Sequence, residues 1–158
     1  MYVLRNLINY IGIVSPQEYP TKPLHFKQFT LLKKIVVPDA KPDIESIIKV
    51  ISSAKIINTR QIETPYNKKY IIEGKVSQRF IYTAATPKQS VHSFESSSYF
   101  CEIIEGNFEL ENITTKVVIE DINIIHHDLR SLFECKVLCA IIEYTGDENK
   151  DEEEEEEE

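Results

Sequence analysis

The strongest constraint on this chain is a pattern that recurs along most of it. Runs rich in Val, Ile, Thr, Tyr and Phe alternate in polarity and are broken by turn signals. The clearest is "YIIEGKVSQRFIYTA" (70–84), where Tyr70, Ile72, Val76, Phe80 and Tyr82 face one side. Glu73, Lys75, Ser77, Arg79 and Thr83 face the other, a period of two that belongs to a half-buried strand. Similar runs cover 26–37, 50–64, 91–104, 113–125 and 131–145, with turns at "PYNKK", "ATPKQS", "EGNFELEN" and "HHDLR". No helical crossover long enough to join parallel neighbours is visible, so the pattern predicts an all-β fold, an antiparallel β-sandwich or barrel-like domain.

One passage departs from alternation. In "VVPDAKPDIESIIKV" (36–50), Pro38 ends a strand because it offers no amide hydrogen, and Lys41 is pushed towards extended geometry by the proline after it. Pro42 suits the first position of a helix, Asp43 and Glu45 suit its first turn, and Ile44, Ile47 and Ile48 fall at i, i+3, i+4. The expectation is a corner followed by a short helix near residues 42–49.

The ends differ from the middle. Residues 2–14 are β-rich, and "SPQEYPTKP" (15–23) holds three prolines and cannot join a central ladder. Residues 1–25 are therefore expected to form an arm and a proline-rich loop held away from the body at 26–145. The net charge of −8 belongs to the last twelve residues, which carry ten acids and one lysine; the rest has 17 basic and 16 acidic residues. Residues 146–158 read as a disordered acidic tail, and the near-neutral body lacks the basic stripe of a nucleic-acid binder. No signal peptide and no apolar run of a membrane span is seen, which points to synthesis in the cytoplasm.

Chemistry is sparse. Cys101, Cys135 and Cys139 fit a reducing compartment. On one strand Cys135 and Cys139 would stand roughly 13 Å apart, too far for a bridge, and small buried hydrophobes is the simplest reading. His126, His127 and Asp128 lack zinc-ligand spacing and read as a polar turn. His92 and Cys101 lie about 30 Å apart along one run, which excludes a catalytic pair. No motif of a nucleophile elbow, zinc protease or phosphate loop occurs, so no catalytic, metal or cofactor residues are assigned and an enzyme is not expected. The last run is apolar on one parity (Phe133, Cys135, Val137, Cys139, Ile141) and later on the other (Leu138, Ala140, Ile142), which implies a central position or an interface.

Taken in order, "VPDAKPDIESIIKV", "AKIINTRQIETP", "YIIEGKVSQRFIYTA", "QSVHSFESSSYFCEII" and "VVIEDINIIHHDLRSLFECKVLCAIIEY" resemble the SPOCS domain family of endospore coat proteins, over roughly residues 26–145. The residues that match its signature are Pro38, Lys41, Pro42, Asp43 and Glu45, which the residue-level reading makes fold-determining. The resemblance implies a non-enzymatic structural protein, made in the mother-cell cytoplasm and placed in the spore coat or on the spore surface. Some relatives carry a LysM module, and none is seen in this chain. Other coat proteins and copies of itself are the implied partners. Val3, Leu4, Leu7, Ile8, Tyr10 and Ile11 are the candidate interface, and the three cysteines are candidate crosslinks once conditions turn oxidising. The alternative is a glycan- or peptidoglycan-binding module using exposed tyrosines such as Tyr66, Tyr70 and Tyr82.

Overall fold

The computed structural model describes residues 1–146; all but the first residue of the expected acidic tail lies outside the described residues. Eight strands form: β1 (Tyr2–Arg5), β2 (Ile8–Ile11), β3 (His25–Val36), β4 (Ile44–Glu63), β5 (Lys68–Ala84), β6 (Val91–Glu105), β7 (Ile113–His127) and β8 (Ser131–Tyr144). They make a five-stranded sheet ordered β1-β2-β4-β5-β6 and a three-stranded sheet ordered β3-β8-β7. The inner faces share one core, as alternation predicts for a sandwich. All pairings are antiparallel except β2 with β4, which is parallel over Asn9↔Lys49, Tyr10↔Val50 and Ile11↔Ile51.

On β5 the expected inner face is buried, with Ile72, Val76, Phe80 and Tyr82 fully enclosed. The phenyl rings of Phe80 and Phe94 stack with their centroids 5.2 Å apart, and Phe29 meets Phe100 across the two sheets at 5.1 Å. Gly74 sits on this face because a Cβ there would fall 2.1 Å from the Phe100 ring. Opposite it, β4 carries an irregularity between Ile56 and Asn58.

The short helix expected near 42–49 is not formed. That stretch begins β4, and the misreading has a physical cause. Two register shifts, between Ile44 and Ser46 and between Ile47 and Lys49, each add a residue to β4. The bulges turn the inward period from two to three, so Ile44, Ile47 and Val50 are buried while Ile48 points to solvent. The spacing imitates a helical face in a segment whose isoleucines favour a strand. The corner itself stands as expected: β3 stops before Pro38, and the Lys41 amide donates to the Pro38 carbonyl at 2.9 Å.

The arm is also corrected. Residues 2–11 are not held away from the body; β1 and β2 make a two-residue hairpin whose turn places Asn6 and Leu7 at positive φ. This hairpin fills the gap between β4 and β7. Tyr10, 1% exposed, accepts a bond from the Ile124 amide at 2.9 Å through its hydroxyl. Arg5 donates to the Ile122 carbonyl at 2.8 Å and to Asp121 at 2.9 Å, and the Val14 amide donates to the Ile119 carbonyl at 2.8 Å. Gly12, at φ +108°, is required there: a Cβ would sit 1.9 Å from the Ser52 carbonyl oxygen.

The other open side, between β3 and β6, has no backbone ladder among the described residues. Two lysines span it instead. Lys27 donates to the Ile103 carbonyl at 2.9 Å and pairs with Glu102, and Lys33 donates to the Ser97 carbonyl. Positive side chains on an edge are a known guard against unwanted strand pairing.

Candidate functional site

The corner at Pro38–Asp43 is pinned from a distance. Arg130, in the β7–β8 turn, donates to the carbonyls of Val37, Pro38 and Lys41 and to the Asp43 carboxylate. The Pro42 carbonyl accepts from the Tyr82 hydroxyl at 2.7 Å, and the Glu45 carboxylate accepts from Gln89 at 2.9 Å. Asp128 organises the same turn by accepting from the Arg130 and Ser131 amides and the Ser131 hydroxyl. Those amides hold its carboxyl below the ordinary carboxylate range. Pro38, Lys41, Pro42 and Asp43 therefore lie on the crossing from one sheet to the other, between β3 and β4.

The residues proposed for the interface divide. Ile8 and Tyr10 are buried in the chain's own core, Val3 packs against it, and Ile11 is half-buried. Only Leu4 and Leu7 remain exposed. The cysteines divide likewise. Cys101 is exposed on β6, Cys135 is half-buried, and Cys139 is buried, where loss of solvent pushes its thiol up to about 11. All three are free thiols.

His126 and His127 line an open cleft with Leu7, Ile8, Ile47 and Ile124, whose lining includes no carboxylate or cysteine. Among the described residues, no three His, Cys, Asp or Glu side chains come together as a metal site. His92 and Cys101 lie on one strand, as read from the sequence. Tyr70 and Tyr82 are buried, which leaves Tyr66 alone of the tyrosines considered for glycan binding. No helix among the described residues is long and apolar enough to cross a membrane.

The strongest surface feature is the outer face of the three-stranded sheet. β8 is the central strand, which explains its two apolar parities. Half of its outer face is covered: Val14 and Tyr19 lie over Val118, Cys139 and Ile141. The Tyr19 hydroxyl donates to Glu120, which fixes this covering segment. The other half is open. Leu32 is 71% exposed, Val36 60% and Phe133 38%. Register places Leu32 beside Cys135, Thr30 beside Val137 and Lys34 beside Phe133, so the exposed apolar side chains share this face with a threonine and a lysine whose Nζ lies over the Phe133 ring.

Sequence reasoning missed a second feature, inside the molecule. Glu134 and Lys136 are both 0% exposed and point into the core from β8. Lys136 Nζ lies 2.5 Å from Glu134 Oε1, and Glu134 Oε2 accepts from Gln78 Nε2 at 2.7 Å. Gln78 Oε1 lies 3.3 Å from Lys136 Nζ, and Ser52 and Ser98 complete the ring of partners. Burial raises the Glu134 carboxyl, and the lysine opposes that rise. The available signal was parity: Leu132, Leu138, Ala140 and Ile142 share the face of Glu134 and Lys136.

Comparison with known proteins adds one finding. No curated protein and no solved structure matches this chain. The family model described as SipL, SPOCS domain, does match, over residues 43–126, from Asp43 at the end of the corner to His126 near the end of β7. The chain thus belongs to the SPOCS-domain family, a sporulation-related group.

Proposed function

We propose that this protein is a non-enzymatic structural component of the endospore coat or spore surface, and that it works by packing one sheet face against a second copy. Made in the mother cell, it would be added to the spore from outside. The observation that carries this reading is the half-covered outer face of the three-stranded sheet. Where Val14 and Tyr19 lie on it, the same kind of side chains are removed from water. Where Leu32, Val36 and Phe133 continue it, they stay exposed, with Lys34 Nζ over the Phe133 ring. Exposed apolar surface of this kind marks association sites. The sheet edges beside it are guarded, by Lys27 and Lys33 along β3 and by the N-terminal segment bonded to β7, which favours pairing face to face over strand addition.

Light scattering across a concentration series tests this with the full chain and a Leu32→Glu, Phe133→Glu variant. The reading expects the natural chain to associate as concentration rises and the variant to stay monomeric. A natural chain that is monomeric throughout, or a variant that associates equally well, contradicts it. Of the three thiols, Cys101 alone is exposed and is the one suited to later crosslinking between molecules.

A further inference from the structure

A buried lysine, a buried carboxamide and a buried carboxyl meet in the core between the two sheets. Gln78 belongs to the five-stranded sheet, and Glu134 and Lys136 belong to the central strand of the other. Gln78 is 4% exposed, and the two charged residues are fully enclosed. The arrangement is directional. One carboxyl oxygen of Glu134 meets the lysine amine at 2.5 Å, and the other meets the amide nitrogen of Gln78 at 2.7 Å. A single carboxyl therefore bridges a nucleophile and a leaving group, as general acid–base catalysis of amide exchange requires.

We propose that Lys136 and Gln78 join covalently, through an amide bond between Lys136 Nζ and Gln78 Cδ that Glu134 promotes with release of ammonia. Lys136 first passes a proton to Glu134 Oε1, which leaves a neutral amine. The amine attacks Gln78 Cδ, and a C–N bond forms as the carbonyl π electrons move to Oε1. The Glu134 carboxyl turns about its Cγ–Cδ bond, gives the Oε1 proton to Nε2 and takes a second, on Oε2, from the attacking nitrogen. The Cδ–Nε2 bond then breaks, and ammonia leaves. No electrons are gained or lost overall, and Glu134 ends as a neutral acid.

Three features of the site favour this outcome. The fold holds Lys136 Nζ 3.3 Å from Gln78 Oε1, which places the amine beside the carboxamide and replaces a bimolecular encounter. Water is excluded, so the amide formed is shielded from hydrolysis. A buried ion pair, costly to desolvate, is exchanged for neutral groups. The product would tie the two sheets together across the core, independently of any contact made by the outer face.

Intact mass spectrometry of the purified full-length chain tests the proposal, both fresh and after prolonged warm incubation. The expected mass is lower than that of the sequence by one ammonia, and proteolysis should yield a branched peptide joining the segments of Gln78 and Lys136. A Lys136→Met variant, which removes the nucleophile together with its buried charge, should keep its full mass. Glu134→Gln should slow or abolish the loss. A natural chain that retains the full sequence mass after incubation overturns the proposal, as does an ammonia loss that persists in Lys136→Met. Because the natural chain alone decides the first outcome, failure of a variant to fold leaves the test intact.

Discussion

The two open sides of the sandwich are closed by different means. Between β4 and β7, a piece of chain is inserted: the β1–β2 hairpin brings Tyr10 and Ile8 into the core and bonds to the edge of β7. Between β3 and β6 the buried rings of Phe29 and Phe100 meet, and at the surface lysine side chains reach across to the carbonyls of Ser97 and Ile103 without any inserted chain. The first seam is closed by an inserted hairpin; the outer part of the second is wet. Burial of large side chains contributes far more than exposed charged contacts, so the first seam should govern stability. The second chiefly denies the edge to other strands. An N-terminal segment that looks like an appendage in the sequence is, on this comparison, part of the domain.

The sharpest way to break the comparison is Tyr10→Ala, which leaves a hole in the first seam. It should lower unfolding free energy by about 3–5 kcal/mol in a denaturant titration. Gly12→Ala forces a Cβ against the Ser52 carbonyl and should cost roughly 1–3 kcal/mol in the same assay. Tyr10→Phe keeps the ring and leaves the buried Ile124 amide without its partner, a loss of about 1–2 kcal/mol. This last variant also carries a pH signature. Burial, the largest cause, raises the Tyr10 hydroxyl above its usual 10.0. The folded protein therefore holds that proton more tightly than the unfolded chain does. The associated stability is present below pH 10.0 and is lost as pH rises through the folded value, and Tyr10→Phe should flatten that loss. The smallest effect belongs to the second seam: Lys33→Ala should cost under about 1 kcal/mol. It should instead raise association through the exposed edge, measurable by light scattering.

The same two seams show what was legible beforehand. Strands β3 to β8 were readable because each alternates over many residues and ends at a turn. The helix at 42–49 was misread because two bulges give Ile44, Ile47 and Val50 a period of three, and no residue announces a bulge. The hairpin was missed because its turn uses Asn6 and Leu7 rather than a glycine pair, and because its partner β4 lies beyond a proline-rich loop. The corner at Pro38–Asp43 was visible in composition, whereas the clamp on it, Arg130, is distant in sequence and lies in an ordinary turn. Of the association surface, the apolar parity of β8 was legible. Its division into a covered and an open half depended on where Tyr19 packs. Glu134 and Lys136 were passed over as a core pair although their parity pointed inward, since charged residues in a strand normally signal its wet face.

Hydrogen–deuterium exchange on the full chain tests the central claim most directly. If the hairpin is an integral seam, the amides of Val14 and Ile124, bonded respectively to Ile119 and Tyr10, should exchange at the slow rate of the β5 core. Rapid exchange at both positions, with β5 still protected, would mean that the N-terminal segment detaches from the sandwich, and the account of the two seams would be wrong.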